Sequence, residues 1–460
     1  MSVFSKLLTP VLQGRLPIQG VLCLWQMTFK RLKSTNIPNV SQYMTNGISG
    51  EFLENINQRN SETKEKYEYL GTDMEYCDEL DFIVPEEKGL IPVYRVLNRG
   101  GKLVMKNQDP KLSPDVYLKM YKDMVLMNSI DTVLTEAQTN GVVSFYLTNH
   151  GEEATQIGSA AALDSEDLIY AQYREAGVLL WRGFAVENLM NQCLCNNRDL
   201  NKGRQMPVHY GSKELNFVTI SSNLGTQLPQ AAGSAYAYKL ANKDNCVICY
   251  FGEGTASEGD AHPAFNFAAV LNCPVIFFCR NNGYAISTSL QEQYSGDGIA
   301  SRGAGYGMIS IRIDGNDVLA VYNAVKAARE ICLSQNRPVL IEAMTYRVGN
   351  HTTLVDGQSY RSEEEVEDWK VNHSPIDRFR KYITNMKLWD DKRNLELNTA
   401  SVEMVNRILE ASQEHKLPSP EAMFTDVYDV VPKHLEKQFN DLKNHLQTYP
   451  DEYPLEKHDR

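Results

Sequence analysis

The chain has 460 residues, 42% hydrophobic and 23% charged, enough for a sizeable core in one large or two modest domains. Its net charge of −12 argues against general nucleic-acid binding, which needs a basic face. The longest apolar run near the amino terminus, "VLCLWQM", is far too short to span a bilayer.

Residues 1–50 hold no Asp or Glu but do hold Lys6, Arg15, Lys30, Arg31 and Lys33. A basic, hydroxyl-bearing, acid-free opening is the pattern of a mitochondrial transit peptide. It is expected over residues 1–40, with removal after Arg31 and a mitochondrial matrix destination. Residues 41–110 are irregular and proline-bearing and read as an extended N-terminal arm. Helical periodicity begins at "SPDVYLKMYKDMVLMNSIDTVLTEAQTNG", where Ser113 is placed to cap and Pro114 to open the helix.

Strand and helix patterns then alternate. "DLIYAQYR" predicts a strand, "GVLLWRGFAVENLMNQCL" a helix, "FVTISS" a strand and "GTQLPQAAGSAYAYKLAN" a helix. "CVICYFG", "PVIFFCRNN", "MISIRIDG" and "PVLIEAMTYR" predict further strands, with helices at "PAFNFAAVLN" and "DVLAVYNAVKAAREICLSQ". Continuous apolar strands alternating with helices predict an α/β fold, a parallel sheet flanked by helices over residues 111–362. A charged helical region is expected over residues 363–460. Ligands of such sheets sit at the carboxyl ends of the strands. Cys246 and Cys249 form C-x-x-C inside a strand pattern and lack a second pair at zinc spacing, so they are expected to pack as small apolar residues. The glycine-rich "GDGIASRGAGYG" leads into a strand and not a helix, so it is not a dinucleotide fingerprint and reads as a flexible loop.

The turn after "CVICY" is "FGEGTASEGD". A glycine-rich strand-to-helix turn usually cradles phosphate, yet this one carries Glu253, Glu258 and Asp260 where a P-loop has lysine. An acidic group faces phosphate when a divalent cation lies between them. Magnesium takes carboxylate, amide and backbone oxygens together with phosphate oxygens. The next strand ends in "CRNNGYAIS", 29 residues on, which allows one turn, one helix and one strand back to the same sheet edge. Glu253, the Asn282 side-chain oxygen and the Tyr284 carbonyl are therefore the expected magnesium ligands. Arg174, in "AQYREAG", is suited to bidentate phosphate contact, and Arg280 adds a second cation. His351 is a natural acid–base group.

Gly-Asp/Glu-Gly followed by Asn-Asn is the diphosphate-binding signature of thiamine diphosphate enzymes, here with Glu253 where Asp is commoner. From Phe82 onward, through "KGRQMPVHYG", "TISSNLGTQLPQAAG", "GEGTASEGDAH", "FFCRNNGYAIST" and "EAMTYRVGNHTT", the chain resembles the alpha subunits of 2-oxo acid dehydrogenase decarboxylase components. "ASEGDAH" and "NNGYAIST" resemble the branched-chain members more than the pyruvate members. The resemblance implies a thiamine diphosphate-dependent oxidoreductase that decarboxylates branched 2-oxo acids such as 3-methyl-2-oxobutanoate and passes the acyl group to lipoamide; a pyruvate or broad-specificity enzyme is the alternative. It also implies thiamine diphosphate, Mg2+ and K+ as cofactors. The implied partners are a beta subunit in an α2β2 tetramer, a lipoyl-bearing transacylase core, and a regulatory kinase and phosphatase.

By the same resemblance, Tyr173, Arg174, Gly252, Glu253, Gly254, Thr255, Arg280 and Asn282 bind the cofactor, with Ser222 and the Leu224 backbone at its pyrimidine. Ser221, the Asn223 carbonyl, Thr226 and Gln227 hold potassium, with Asn223 where the family commonly has Pro. His351 is the catalytic histidine and assists acylation of lipoamide. Residues 346–362 form a regulatory loop with phosphorylation sites at Thr352, where Ser is usual, and Ser362. A helix N-cap is the other reading of Ser362, from "SEEE".

Overall fold

The computed structural model describes residues 66–69, 72–75, 80, 82–84, 89–352 and 357–459. The expected transit peptide, and the part of the expected arm up to residue 65, lie outside them. The chain divides into two compact units, residues 1–84 and 85–460. In the first, strands β1 (Lys66–Tyr69) and β2 (Thr72–Glu75) pair antiparallel, with Tyr69 opposite Thr72.

The second unit is built on a six-stranded sheet. Its strands are β3 (Val93–Tyr94), β4 (Leu168–Tyr170), β5 (Val247–Gly252), β6 (Val275–Asn281), β9 (Ile309–Asp314) and β10 (Val339–Met344). A small antiparallel pair, β7 (Tyr284–Ala285) and β8 (Thr288–Ser289), lies between β6 and β9 in the chain. The sheet order is β3-β9-β10-β6-β5-β4, and every neighbouring pair is parallel.

Why these segments became strands is visible in their burial. Every residue of β5 and β6 is buried. Alternate side chains feed opposite cores. Ile248, Tyr250, Ile276 and Phe278 join the core that includes α1 (Pro114–Thr139), α3 (Ala176–Trp181), α4 (Val186–Cys193) and α7 (Val318–Gln335). Val247, Cys249, Phe251, Val275, Phe277 and Cys279 join the core beneath α5 (Gln227–Leu240) and α6 (Ala261–Val270). A strand buried on both faces reads as a continuous apolar run; β5 does so throughout, and β6 does so up to Arg280 and Asn281 at its carboxyl end. The same alternation sends Cys246 and Cys249 to opposite cores, both as free thiols, so the C-x-x-C pattern brings no two sulfurs together.

The long helix α1 begins as its sequence predicts: Ser113 accepts from the Val116 N–H and Pro114 holds the first turn. The predicted single helix after β4 is two. Gly183, at φ +90°, closes α3 by accepting the left-handed conformation, with its N–H on the Leu180 carbonyl and the Phe184 N–H on that of Leu179. The predicted strand at residues 217–222 shrinks to isolated bridges of Phe217 with Ile169 and Ser212, because β4, its neighbour, is only three residues long. The glycine-rich loop at 296–307 contains a short helix, Arg302–Tyr306, and is firmly held. Glu342 accepts from the Ala300 N–H, and Arg312 pairs with Glu342 and Asp297.

Short helix α2 (Glu153–Ala161) runs against α7, where Gly158 lets the backbones approach; a Cβ there would lie 2.7 Å from the Val318 carbonyl. Beyond the sheet come α8 (Glu363–Asn372), α9 (Pro375–Asn385), α10 (Asp391–Gln413) and α11 (Lys433–Thr448). Among the described residues, no helix is long and apolar enough to cross a membrane.

Phe265 of α6 is 1% exposed and meets Phe277 edge-on at 4.9 Å and Phe251 at 5.9 Å. Phe265→Ala should therefore lower unfolding stability by about 3–5 kcal/mol, measured by denaturant unfolding.

Candidate active site

Strand register brings the acidic turn and the double asparagine together. Gly252 at the end of β5 pairs with Arg280 of β6, so Glu253 and Asn282 leave adjacent strands at the same edge. Glu253 is 1% exposed. Its Oε2 accepts the Asn282 N–H at 3.3 Å, and its Oε1 has no hydrogen-bond partner among the described residues. Burial raises its carboxyl above the ordinary range, the bonds from the Asn282 and Glu253 N–H groups opposing. A buried carboxylate oxygen without a donor calls for a proton or a cation.

The surroundings favour the cation. Asn282, 5% exposed, donates its Nδ2 to Glu152 Oε1 at 2.9 Å, leaving its Oδ1 with a 3.3 Å bond from the Tyr284 N–H. Gly283, at φ +91°, turns the chain so that Tyr284 follows at once. The Tyr284 carbonyl lies 3.5 Å from Arg347 Nη1. Carboxylate, amide and carbonyl oxygens so gathered form the donor set that magnesium prefers.

Beneath them lies a buried ion cluster. Arg280 Nη1 meets Glu152 at 2.5 Å, and its Nε meets Glu175; all three are at most 1% exposed. Burial alone would lower the Arg280 pKa, but the two carboxylates outweigh it and hold the guanidinium firmly charged. Arg280, expected on the diphosphate, is thus engaged by Glu152 and Glu175. With Glu253, three carboxylates face one guanidinium here, an imbalance that a divalent ion corrects.

A cationic wall stands alongside. Tyr173 and Arg174 lie three and four residues beyond the end of β4, in the loop entering α3. Arg174, 1% exposed, donates to the carbonyls of Thr148 and, at 2.7 Å, His351. It pairs with no carboxylate among the described residues; its neighbour Glu175 belongs to Arg280. Burial lowers its pKa, with Arg347 and Arg280 adding to that. A buried guanidinium bonded only to carbonyls has charge to spare for an anion. His351 Nε2 lies 3.4 Å from the Tyr173 hydroxyl. Burial, with Arg174 and Arg347 nearby, pushes the imidazole from 6.5 down to about 3, so it is held neutral. Thr352 is buried beside it, and residues 353–356 lie outside the described set.

The turn into α5 forms a third group. Thr226 Oγ1 donates to the Asn223 carbonyl at 2.9 Å, and Gln227 Nε2 to the Tyr250 carbonyl at 3.2 Å, which ties this turn to β5. Ser221, Ser222 and Asn223 are exposed, and Leu224 is half-buried. Gly225, at φ +88°, packs close enough that a Cβ would lie 3.0 Å from Glu258 Cβ. Ser222 is 2.9 Å from His209 Nε2, and His209 Nδ1 is 3.0 Å from the Pro207 carbonyl. A carbonyl only accepts, so Nδ1 carries the proton, Nε2 accepts from the Ser222 hydroxyl, and the serine lone pairs stay available.

Gln172 was not anticipated. Its Oε1 accepts the Gly252 N–H at 2.9 Å and the Thr255 hydroxyl at 3.0 Å, fixing the start of the acidic turn. Gly254 is backed by Ala285, whose Cβ a new Cβ would approach to 2.7 Å. Glu152, Glu175 and His209 were likewise missed. The doubled acid of "GEE" and the "REAG" beside Arg174 were the available signals. Ser362 caps α8, accepting from the Glu365 N–H at 3.1 Å.

The fold and site define a parallel α/β protein whose sheet edge gathers carboxylate, amide and carbonyl oxygens near a buried guanidinium. A family model described as "Dehydrogenase E1 component" matches residues 121–421. A Homo sapiens protein named "2-oxoisovalerate dehydrogenase subunit alpha, mitochondrial" is 53% identical over 403 residues, 88% of this chain and 91% of its own. Proteins of the same name from Caenorhabditis elegans and Dictyostelium discoideum are 52% and 49% identical, over 84% and 89% of this chain and 90% and 94% of theirs. The chain belongs to the dehydrogenase E1 component family.

The neutral His351 gives a pH signature. Below its ordinary value of 6.5 the unfolded chain takes up a proton that the folded imidazole refuses until about 3. Stability from this residue is thus complete above pH 6.5 and erodes as pH falls towards 3. Relative to His351→Asn, the native chain should lose unfolding free energy progressively between those values, followed by denaturant unfolding at several pH values.

Proposed function

We propose that the chain is the alpha subunit of a mitochondrial branched-chain 2-oxo acid dehydrogenase, acting with a beta subunit as an α2β2 tetramer. It takes part in the oxidative decarboxylation of branched 2-oxo acids, with lipoyl groups of a transacylase core accepting the acyl product. The observation that carries this is the donorless, buried Glu253 oxygen beside Asn282 and Tyr284, in a chain so similar to named alpha subunits.

Thiamine diphosphate, when bound, supplies the electron sink for loss of CO2. This chain's residues hold and orient it. Glu253, the Asn282 side-chain oxygen and the Tyr284 carbonyl hold Mg2+. Arg174 and Tyr173 face the diphosphate, and Gly252, Gly254 and Thr255 form the bed beneath it. Ser222, turned by His209, and the Leu224 backbone meet the pyrimidine. Ser221, Asn223, Thr226 and Gln227 hold K+, which stiffens that turn. His351 Nε2, on an imidazole held neutral by burial and by Arg174 and Arg347, would serve as a proton acceptor. The beta subunit completes the pocket with the carboxylate that activates the aminopyrimidine. Residues 1–40 act as the transit peptide that takes the chain to the matrix.

Control by a kinase and phosphatase acts at Thr352 and Ser362. A phosphate at Thr352 adds about −1.5 to −2 charges beside Arg174 and His351 and competes with the cofactor's own diphosphate. Thr352 is buried, so the loop must open for modification. Treatment with the purified regulatory kinase should phosphorylate Thr352 and abolish decarboxylation. An unmodified Thr352 with unchanged activity ends the proposal for that residue.

Co-expressed with its beta partner, the chain should decarboxylate 3-methyl-2-oxobutanoate in preference to pyruvate, and only with thiamine diphosphate and Mg2+. Glu253→Ala should raise the Mg2+ needed for half-saturation by at least about tenfold, and Glu253→Asp should restore it. A preference for pyruvate makes the chain an alpha subunit of the pyruvate type instead.

A further inference from the structure

Helix α8 follows the loop that carries His351 and reaches back to the metal-binding turn through one side chain. Glu365 Oε1 accepts hydrogen bonds from two phenols at once, Tyr284 and Tyr346, each at 2.9 Å. Tyr284 belongs to β7 and is the residue whose carbonyl faces the cation. Tyr346 is 3% exposed and lies two residues past the end of β10. One carboxylate oxygen therefore ties the turn after β6 to the chain leaving β10.

The anchor is itself held in place. Ser362 fixes the Glu365 backbone by capping the helix. One turn further along, Trp369 stacks on Tyr346 with ring centroids 4.9 Å apart and planes at 5°. The Tyr284 ring packs edge-on against Tyr346 and lies against Tyr360. Burial and the Glu365 carboxylate push the Tyr284 phenol up to about 12, as expected of a phenol that stays a donor. Gly283 sits at φ +91° just before Tyr284, so the carbonyl's direction depends on what fixes the residues after the glycine.

We infer that Glu365 is a positioning residue for the cation site: it holds the Tyr284 side chain and so fixes where the Tyr284 carbonyl points. The inference rests on the thiamine diphosphate reading given above. It makes cation affinity sensitive to the seating of α8. Partners outside the immediate ligand shell commonly govern metal affinity about 10–100-fold.

The test uses the alpha chain co-expressed with its beta subunit. Mg2+ binding is measured by calorimetry at saturating thiamine diphosphate, alongside steady-state kinetics. Glu365→Ala should weaken Mg2+ binding about tenfold or more while kcat at saturating Mg2+ stays within about twofold of the parent. Glu365→Gln, which keeps the accepting oxygen, should recover most of the affinity. Tyr284→Phe should weaken binding, and adding it to Glu365→Ala should weaken binding little further, since both remove one link. Glu364→Ala, an exposed substitution one residue earlier, should change nothing. Parent-like Mg2+ binding in folded Glu365→Ala overturns the inference. So does equal weakening by Glu364→Ala, which would report only general loosening of the helix. If Glu365→Ala fails to fold, Tyr284→Phe decides alone, and parent-like binding there is equally fatal. If the parent assembly binds no Mg2+–thiamine diphosphate, the cofactor reading falls, and this inference with it.

Discussion

The site depends on a charge imbalance buried at the carboxyl end of a parallel sheet. Arg280 pairs with Glu152 and Glu175, and among the described residues Glu253 pairs with no cation. Carboxylates are seldom buried without partners, because desolvation costs several kcal/mol per ion in a protein interior. Here the cost is tolerated because two fully buried strands, apolar up to their carboxyl ends and packed between two cores, hold the edge in place. Glu152 does double service: one oxygen meets Arg280, and the other takes the Asn282 amide hydrogen, which fixes which end of that amide faces Glu253.

The two polarities of the site belong together. Carboxylates without enough cations stand near Arg174, a buried guanidinium bonded only to carbonyls among the described residues. A magnesium diphosphate satisfies both at once, where a bare phosphate or a bare metal ion would satisfy one and aggravate the other. On the proposed function the acidic glycine-rich turn would be a phosphate loop at one remove, with the ion as intermediary.

Much of this was legible in the sequence, and the pattern of success has a physical reason. The sheet declared itself because its buried strands read as near-continuous apolar runs, and because β5 and β6 each end in glycine or asparagine turns. The meeting of Glu253 with Asn282 was legible because one helix and one strand fix their spacing. Residues that act on those residues were not. Glu152 reaches Asn282 across 130 positions and Gln172 reaches Gly252 across 80, and no local periodicity encodes such meetings. Strand β3 left no trace either, since two residues are too few to show alternation. The helix after β4 read as one because its apolar spacing continues past Gly183, and only the left-handed turn at that glycine divides it.

One consequence concerns which changes in length the chain can absorb. Helix α6, between the acidic turn and β6, packs on one face of the sheet, where Phe265 sits between Phe251 and Phe277. One residue inserted in it would rotate everything downstream by about 100° and swing Phe265 out of its slot. Changes of length among related chains should accordingly fall in exposed turns outside the interval from Glu253 to Asn282. The interval from Glu253 to Asn282 would then serve as a ruler, kept by geometry even where the letters along it drift.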